Sequence, residues 1–327
     1  MVRVLHVTNA YPYPEVPEYG IFVKEQIEAV GRAGVESDMI FINGRGKGKK
    51  AYLEAVPEIR RRARDADVIH CHHLYSGLAT ALAVTGKPTV LSFLNDWLHE
   101  MDEVKSMTAR RVLCNFGARW ADRVIFKSPI PPQFSGNPKF LYLPNGANST
   151  QFHITDKAAA RQALGLDPDK KYLLFVSSKD RDRPQKRYDR YHATVELLKQ
   201  TSPELNVEEL VLVNQPRERV LNFFNAADLH LMTSDYEGSP NSVKEALCCG
   251  LAVVTTRVGN VEDLLAGVPG CHVDHSFEPA ELADLVRRTL AESVSREAIR
   301  NGFLAKDFSQ EGVTRRLIET YEELSRR

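Results

Sequence analysis

The sequence contains no run of apolar residues approaching the roughly 18 that a helix needs to cross a bilayer, no C-x-x-C pair and no net charge. The first absence excludes an integral membrane protein. Residues 1–15 offer only Val4-Leu-His-Val7 before polar and proline-rich sequence, so no export signal is visible. The five cysteines, Cys71, Cys114, Cys248, Cys249 and Cys271, are odd in number and spaced for neither a disulfide framework nor a zinc site. They read as small buried residues in a reducing, cytoplasmic compartment. With 43% hydrophobic and 26% charged residues the chain is of globular composition, and its charge balance asks for no nucleic acid partner.

What is present is length, and charge unevenly placed. At 327 residues the chain exceeds the size at which one core usually stops growing, so two domains are expected. The first 150 residues carry 19 Lys and Arg against 15 Asp and Glu, leaving 24 against 28 of the 43 of each sign for the rest. The early excess sits in Gly44-Arg-Gly-Lys-Gly-Lys-Lys50, Arg60-Arg-Arg-Ala-Arg64 and Arg110-Arg111. These cations either meet an anionic substrate or the headgroups of a membrane, as a peripheral protein would, or form solvated helix faces.

Short β-branched runs alternate with segments of helical period. Strands are predicted near 2–8, 37–42, 67–70, 88–93 and 122–126, with helices near 21–34, 52–65, 76–85 and 106–120. A last apolar pulse, Phe140-Leu-Tyr-Leu143, ends on the turn Pro144-Asn-Gly146, and residues 147–170 lack a strand. The alternation restarts with Tyr172–Ser177 and continues through strands near 208–213, 228–233, 251–256 and 271–273. Helices are predicted near 188–200, 217–226, 241–249 and 261–266, and from 279 the pattern is helical, interrupted near Ser293 and Phe308. The expected fold is therefore α/β, with two doubly wound Rossmann-like domains facing a cleft. Residues 1–150 form the first, 151–307 the second, and 308–327 a C-terminal helix packing back toward the first.

The densest chemistry lies between two strands of the second half, in Ser234-Asp-Tyr-Glu-Gly-Ser-Pro-Asn-Ser-Val-Lys-Glu-Ala-Leu-Cys-Cys-Gly250. Gly238 permits a tight turn, Ser239 is suited to cap a helix and Pro240 to occupy its first position. Free N–H groups at the start of that helix would favour an anion such as a diphosphate. Glu237 precedes the helix and Glu245 lies inside it beside apolar residues, where a carboxylate needs hydrogen-bond donors. Sugar or ribose hydroxyls would supply them. Alternatively, Glu237 only complements the helix dipole and Glu245 pairs with a lysine.

Glu237 and Glu245, with seven residues between them and a small-residue stretch and an Ala-Val-Val strand after them, resemble the signature of the family-4 retaining glycosyltransferases of the GT-B fold, the cell-surface polysaccharide type among them. Tyr19–Gln26, Asp67-Val-Ile-His70, Leu143-Pro-Asn-Gly146, Pro184-Gln-Lys186 and Ala226-Ala-Asp228 resemble the same family in the expected order. The resemblance implies a nucleoside diphosphate sugar as donor, UDP- or GDP-linked, no cofactor, and a glycan or lipid-linked acceptor. It implies that Glu245 holds the ribose and Glu237 the donor sugar. The backbone of Gly238, Ser239, Pro240, Asn241 and Ser242 would then face the sugar and distal phosphate. Arg181 and Lys186 would stabilise the leaving diphosphate, with Arg183 or Lys179 as alternatives to Arg181. Gly20 would bring backbone to the diphosphate from the first domain, and Gln215 would lie near the base.

Asp180-Arg-Asp182 is a D-x-D, but the cations flanking it make metal independence the expectation. Many relatives carry a histidine just after the fourth strand, where this chain has Leu94. Asp96 is then the first candidate to orient the acceptor, followed by Asn95 and by His72 or His73. Because Leu94 and the single glycine at 20 depart from the pattern, a module that binds nucleotide sugars or glycans without catalysis is the alternative reading. Gly44–Gly48 lacks the third glycine of a dinucleotide fingerprint and reads as a mobile basic loop.

Overall fold

Successive side chains of a strand point to opposite faces, and the two faces of the first sheet differ in chemistry. In the computed structural model, residues 2–16, 19–101, 103–177 and 180–326 are described, residue 217 by its backbone alone. Met1–Gly146 with Gln310–Arg327 form one unit, and Ala147–Ser309 the other. The first unit runs β1 (Arg3–Thr8), α1 (Ile21–Arg32), β2 (Glu36–Phe41), α2 (Gly44–Lys47), α3 (Lys50–Glu54), α4 (Val56–Arg62), β3 (Val68–His72), α5 (Leu74–Ala83), β4 (Thr89–Phe93), α6 (Met107–Trp120), β5 (Arg123–Phe126) and β6 (Phe140–Tyr142). Its six parallel strands are ordered β2-β1-β3-β4-β5-β6.

One face of this sheet is mainly apolar: Leu5, Val7, Ile69, Cys71, Leu91, Phe93, Val124 and Phe126 pack beneath α3 to α6. The opposite face is apolar toward the strands' amino ends, through Val4, Val68 and Val90, and on β5 through Ile125. Toward the carboxyl ends it carries His6, Thr8, His70, His72, Ser92 and Lys127, all buried. His6 Nδ1 and His72 Nε2 lie 3.1 Å apart, and His70 bonds Ser92 Oγ at 2.8 Å. The other nitrogen of His70 meets the hydroxyl of Tyr321 at 2.6 Å, which fastens the last helix to this face. Burial holds all three imidazoles neutral: His6 falls to about 3, and His70 and His72 lie well below 6.5. Burial also lowers the Lys127 ammonium to about 7.

A histidine whose folded pKa lies below its unfolded value binds protons preferentially in the unfolded chain. The contribution of these histidines is therefore complete above about pH 6.5 and is lost as the pH falls below it. Glu100, pushed up to about 8 by burial, acts in the opposite sense, its contribution being present at low pH and lost as the pH rises toward 8. His72→Gln removes one titrating group and leaves Glu100 alone. It is expected to reduce the loss of stability between about pH 8 and about pH 5 by about 2 kcal/mol. Calorimetry at the two pH values would show this as a smaller drop in Tm, and an unchanged drop would mean that His72 is not held neutral.

The second unit runs α7 (Lys157–Leu164), β7 (Lys171–Ser177), α8 (Tyr188–Thr201), β8 (Val207–Val213), α9 (Arg217–Ala226), β9 (Leu229–Met232), α10 (Asn241–Cys248), β10 (Ala252–Thr256), α11 (Val261–Leu265), β11 (His272–Asp274), α12 (Pro279–Ala291) and α13 (Arg296–Leu304). Its five parallel strands are ordered β11-β10-β9-β7-β8. Leu174, Leu212, Met232 and Val253 pack on one side with α9, α10 and α13, and Leu173, Phe175, Leu231 and Val254 on the other with α8 and α12. The final helix, α14 (Gln310–Ser325), belongs to the first unit, where Val313, Leu317, Tyr321 and Leu324 are buried.

Two local expectations are corrected and a third is completed. The helix predicted over 52–65 is broken into α3 and α4 at Ala55, two residues before Pro57. Residues 44–47, read as a mobile loop, form a helical turn whose start is capped by the Asn43 side chain accepting from Gly46 N–H. Residues 147–170 lack a strand but contain α7, capped by Asp156.

Candidate active site

Chain order reverses on the two sides of β7: the strand beside it is β9, not β8 alone, so β7 and β9 form the topological switch point where open α/β sheets bind ligands. The loops leaving these two strands are fastened together. Asp235 N–H donates to Gln185 O at 2.9 Å, and Gln185 Nε2 donates to Tyr236 O at 2.6 Å. Thr233 Oγ1 donates to the carbonyls of Lys186 and Arg187, both at 3.0 Å. Arg190, buried on α8, donates to Thr233 O at 2.7 Å and pairs with Asp235 at 2.9 Å. From below, Thr256 Oγ1 donates to Ser234 O at 2.6 Å.

This frame sets Lys186, in a 3-10 turn over Pro184–Lys186, against Glu237. Lys186 Nζ donates to Glu237 Oε1 at 2.7 Å, and Ser234 Oγ donates to the same oxygen at 2.9 Å. Both charged side chains are mostly buried, at 13% and 12% exposure, so solvent weakens the pair little. Gly259, after β10, has φ +54, and a Cβ there would stand 2.4 Å from Gly238 O. Only glycine allows that approach, which supports the turn of Glu237 and Gly238.

The helix after this turn begins at Asn241, with Pro240 at its N-cap and no side-chain cap. Ser239, expected as the cap, instead meets Lys244 Nζ at 3.1 Å. Ser242, in the first turn, bonds inward to His230 Nε2 at 3.1 Å, while His230 Nδ1 meets Leu174 O at 2.9 Å. Burial lowers the His230 pKa to about 4. The ring is therefore neutral, with the proton on Nδ1 and the Ser242 hydroxyl donating to Nε2. That leaves the first N–H groups of α10 without a side-chain partner among the described residues, an electropositive terminus beside Lys186 and Glu237 on the same sheet edge. Glu245 is half-buried within α10.

Other sequence candidates are placed differently. Arg181 is not drawn into this group: it pairs with Asp182 at 3.2 Å, lies over the Tyr188 ring at 4.6 Å and is 52% exposed. Lys179 lies outside the described residues. Asp180 Oδ1 accepts the Asp182 N–H, so the D-x-D carboxylates serve a turn and an ion pair. Gln215 is half-buried after β8, its amide donating to Val213 O at 3.4 Å. Among the described residues, only His6, His70 and His72 bring three metal-ligating atoms within 4.8 Å, but their hydrogen bonds to one another, to Ser92 and to Tyr321, with Lys127 nearby, make them a proton-poor stack.

In the first unit the switch point lies between β1 and β3. Gly20 caps α1 with φ +68, and a Cβ there would stand 2.2 Å from the Ala10 carbonyl carbon, so only glycine fits beside the loop after β1. His73, next to the fully buried His72, starts α5. Asp96 is occupied locally, accepting from Leu98 N–H and bonding His99 at 3.2 Å. The residue that sequence reasoning missed is Glu100. Its buried carboxyl group accepts from Leu74 N–H at 3.2 Å and from Leu94 and Asn95 N–H at 2.9 Å each, tying the loops after β3 and β4 together. No local pattern marks it, because its donors come from backbone brought together by the sheet.

Comparison with known proteins agrees with this arrangement. Residues 170–292 match the family described as glycosyl transferases group 1, and residues 2–130 the glycosyl transferase 4-like domain. The chain is 25% identical over 317 residues to D-inositol 3-phosphate glycosyltransferase 1 of Catenulispora acidiphila, covering 80% of this chain and 73% of that protein. It is 26% identical to the D-inositol 3-phosphate glycosyltransferase of Thermobispora bispora, covering 79% and 70%. Among solved structures, sucrose-phosphate synthase from Thermosynechococcus elongatus superposes with a TM-score of 0.78 at 18% identity, over 99% of both chains. HepE from Anabaena, in complex with UDP, superposes with a TM-score of 0.74 at 19% identity, over 99% of this chain and 100% of that one.

Proposed function

Because the chain belongs to the family-4 glycosyltransferases of the GT-B fold, with a glycosyl transferase 4-like domain followed by a group 1 domain, we propose that it transfers a sugar from a UDP- or GDP-linked donor to an acceptor hydroxyl, with retention and without a metal. The observation that carries this reading is the Lys186–Glu237 pair at the β7/β9 switch point, beside the uncapped start of α10. In that reading the diphosphate draws the Lys186 ammonium from Glu237. The carboxylate, still held by Ser234, is then open to the hydroxyls of the donor sugar. Departure of the nucleotide concentrates negative charge on the diphosphate, and a fixed ammonium and helix N–H groups stabilise that charge more than the intact donor. Supported cations in place of Asp-rich oxygen ligands favour metal independence.

Glu245 would accept from the ribose hydroxyls. Glu245→Ala is expected to weaken binding of the nucleoside diphosphate roughly 10- to 100-fold, the worth of one or two hydrogen bonds to a charged group. Titration calorimetry with UDP and with GDP measures this, and unchanged binding of the preferred nucleotide would remove Glu245 from the site. For the acceptor, a glycan or lipid-linked hydroxyl is proposed from the family resemblance. The relatives named as D-inositol 3-phosphate glycosyltransferases favour a second reading, a phosphorylated polyol. Incubation with a panel of sugar nucleotides and both acceptor classes, with the product anomer assigned by NMR, tests donor, acceptor and retention. Tight donor binding with neither hydrolysis nor transfer across the panel would instead mean a binding module.

A further inference from the structure

A helix on the surface of a domain normally turns its charged side outward, and α6 departs from that rule. Its inner face buries Cys114, Gly117 and Ala118. Its outer face exposes Val112 at 62% and Phe116 at 49%, with Met107 at the helix start. Val112, Asn115, Phe116, Arg119 and Trp120 line a shallow apolar groove along it. Six of the seven exposed large apolar side chains among the described residues lie in the first unit, three of them on α6, and Leu82 and Val84 end the neighbouring α5. This apolar surface is concentrated rather than scattered.

The charges on the helix itself have one sign. The α6 sequence, Met107-Thr-Ala-Arg-Arg-Val-Leu-Cys-Asn-Phe-Gly-Ala-Arg-Trp120, contains three arginines and no acid. Arg111 and Arg119 are exposed, and among the described residues neither has an ion-pair partner. Lys139 Nζ bonds Arg119 O at 2.6 Å, adding an ammonium at the helix end. The basic run on α4 is different: Arg62 pairs with Asp38 and Glu58, and Arg60 bonds Ala83 O. Among the described residues, only α6 therefore joins exposed aromatic and aliphatic groups to guanidinium groups without an ion-pair partner.

We propose that the outer face of α6 docks the protein on an anionic phospholipid surface. Phe116, Val112 and the edge of Trp120 enter the boundary between headgroups and acyl chains, while Arg111 and Arg119 lie among the phosphates. No helix of the described residues is long and apolar enough to cross a membrane, so this contact is made by lying on the surface.

The test is co-sedimentation of the full chain with vesicles of phosphatidylglycerol and phosphatidylcholine in equal parts, and with phosphatidylcholine alone. Binding to the first and not the second is expected. Arg111→Glu with Arg119→Glu is expected to weaken it at least tenfold, since each cation near such a surface is worth about fivefold. Val112→Ser with Phe116→Ser is expected to weaken it at least tenfold, whereas Leu304→Ser, on the other unit, leaves it unchanged. Circular dichroism melts confirm that the variants fold, as outward positions allow. Three results overturn the proposal: no binding to the anionic vesicles, binding untouched by the serine pair, or a dimer in sedimentation equilibrium that the serine pair dissociates. No donor is present, so the outcome is independent of the transferase reading.

Discussion

Lys186→Ala is expected to lower kcat for sugar transfer by roughly 100- to 1000-fold while changing the donor Kd less than about tenfold. The asymmetry follows from what the ammonium faces at each stage. Without donor it is neutralised by Glu237 at 2.7 Å, and in the proposed reading a bound donor replaces one anion by another. Only as the sugar–phosphate bond breaks does the charge opposite it grow, so its largest contribution is to the transition state. The low exposure of the pair raises that contribution, because little water is present to screen it. Single-turnover kinetics with equilibrium donor binding separate the two quantities. A Kd that rises as much as kcat falls would mean that Lys186 only holds the donor, and the catalytic role would pass to the N–H groups of α10.

Asp228→Ala is expected to destabilise the second unit by about 3–5 kcal/mol, the cost of stranding a buried ionic partner. Asp228 Oδ2 accepts from Arg161 Nη2 at 2.7 Å and from Tyr172 N–H at 2.6 Å, and Oδ1 accepts from Lys157 Nζ at 2.6 Å. One carboxylate thus joins α7 to the start of β7. Arg161 is itself buried and bonds the carbonyls of Ala226 and Pro168, so without Asp228 its charge stays in the interior with carbonyl partners only. Asp228→Asn keeps the bond from Tyr172 N–H and is expected to cost less. Urea unfolding followed by circular dichroism gives the difference, and a loss under about 1 kcal/mol would mean that α7 is held by its apolar contacts alone. Ala226-Ala-Asp228 was legible in the sequence as part of a family pattern. Its physical reason, a buried three-way bond, was not.

The strands were legible because most are short, apolar and bounded by turn residues, and in a parallel sheet covered on both faces that pattern is nearly sufficient. Glu237, Gly238 and the start of α10 were legible because a tight turn and a helix start are local events. The partner of Glu237 was not local. Sequence spacing offered Arg181, Arg183, Lys179 and Lys186 alike, and the 3-10 turn over Pro184–Lys186 brings Lys186 to Glu237 while Arg181 lies on Tyr188. Glu100 left no signal at all, since three backbone donors from two loops define its role. The outward apolar face of α6 was also hidden, because a periodic pattern shows that one side differs from the other without showing which side is covered.

By itself, then, the sequence determined the doubly wound α/β units, the order of their elements and the two carboxylates at 237 and 245. These follow from periodicity and turn chemistry acting over a few residues. The tertiary structure decided which cation meets Glu237, which face of the first sheet is polar, and where the buried carboxyl groups of Asp228 and Glu100 find their donors. Such pairings join residues far apart in the chain, and only the packing of strands and helices brings them within the few ångströms over which hydrogen bonds and charges act.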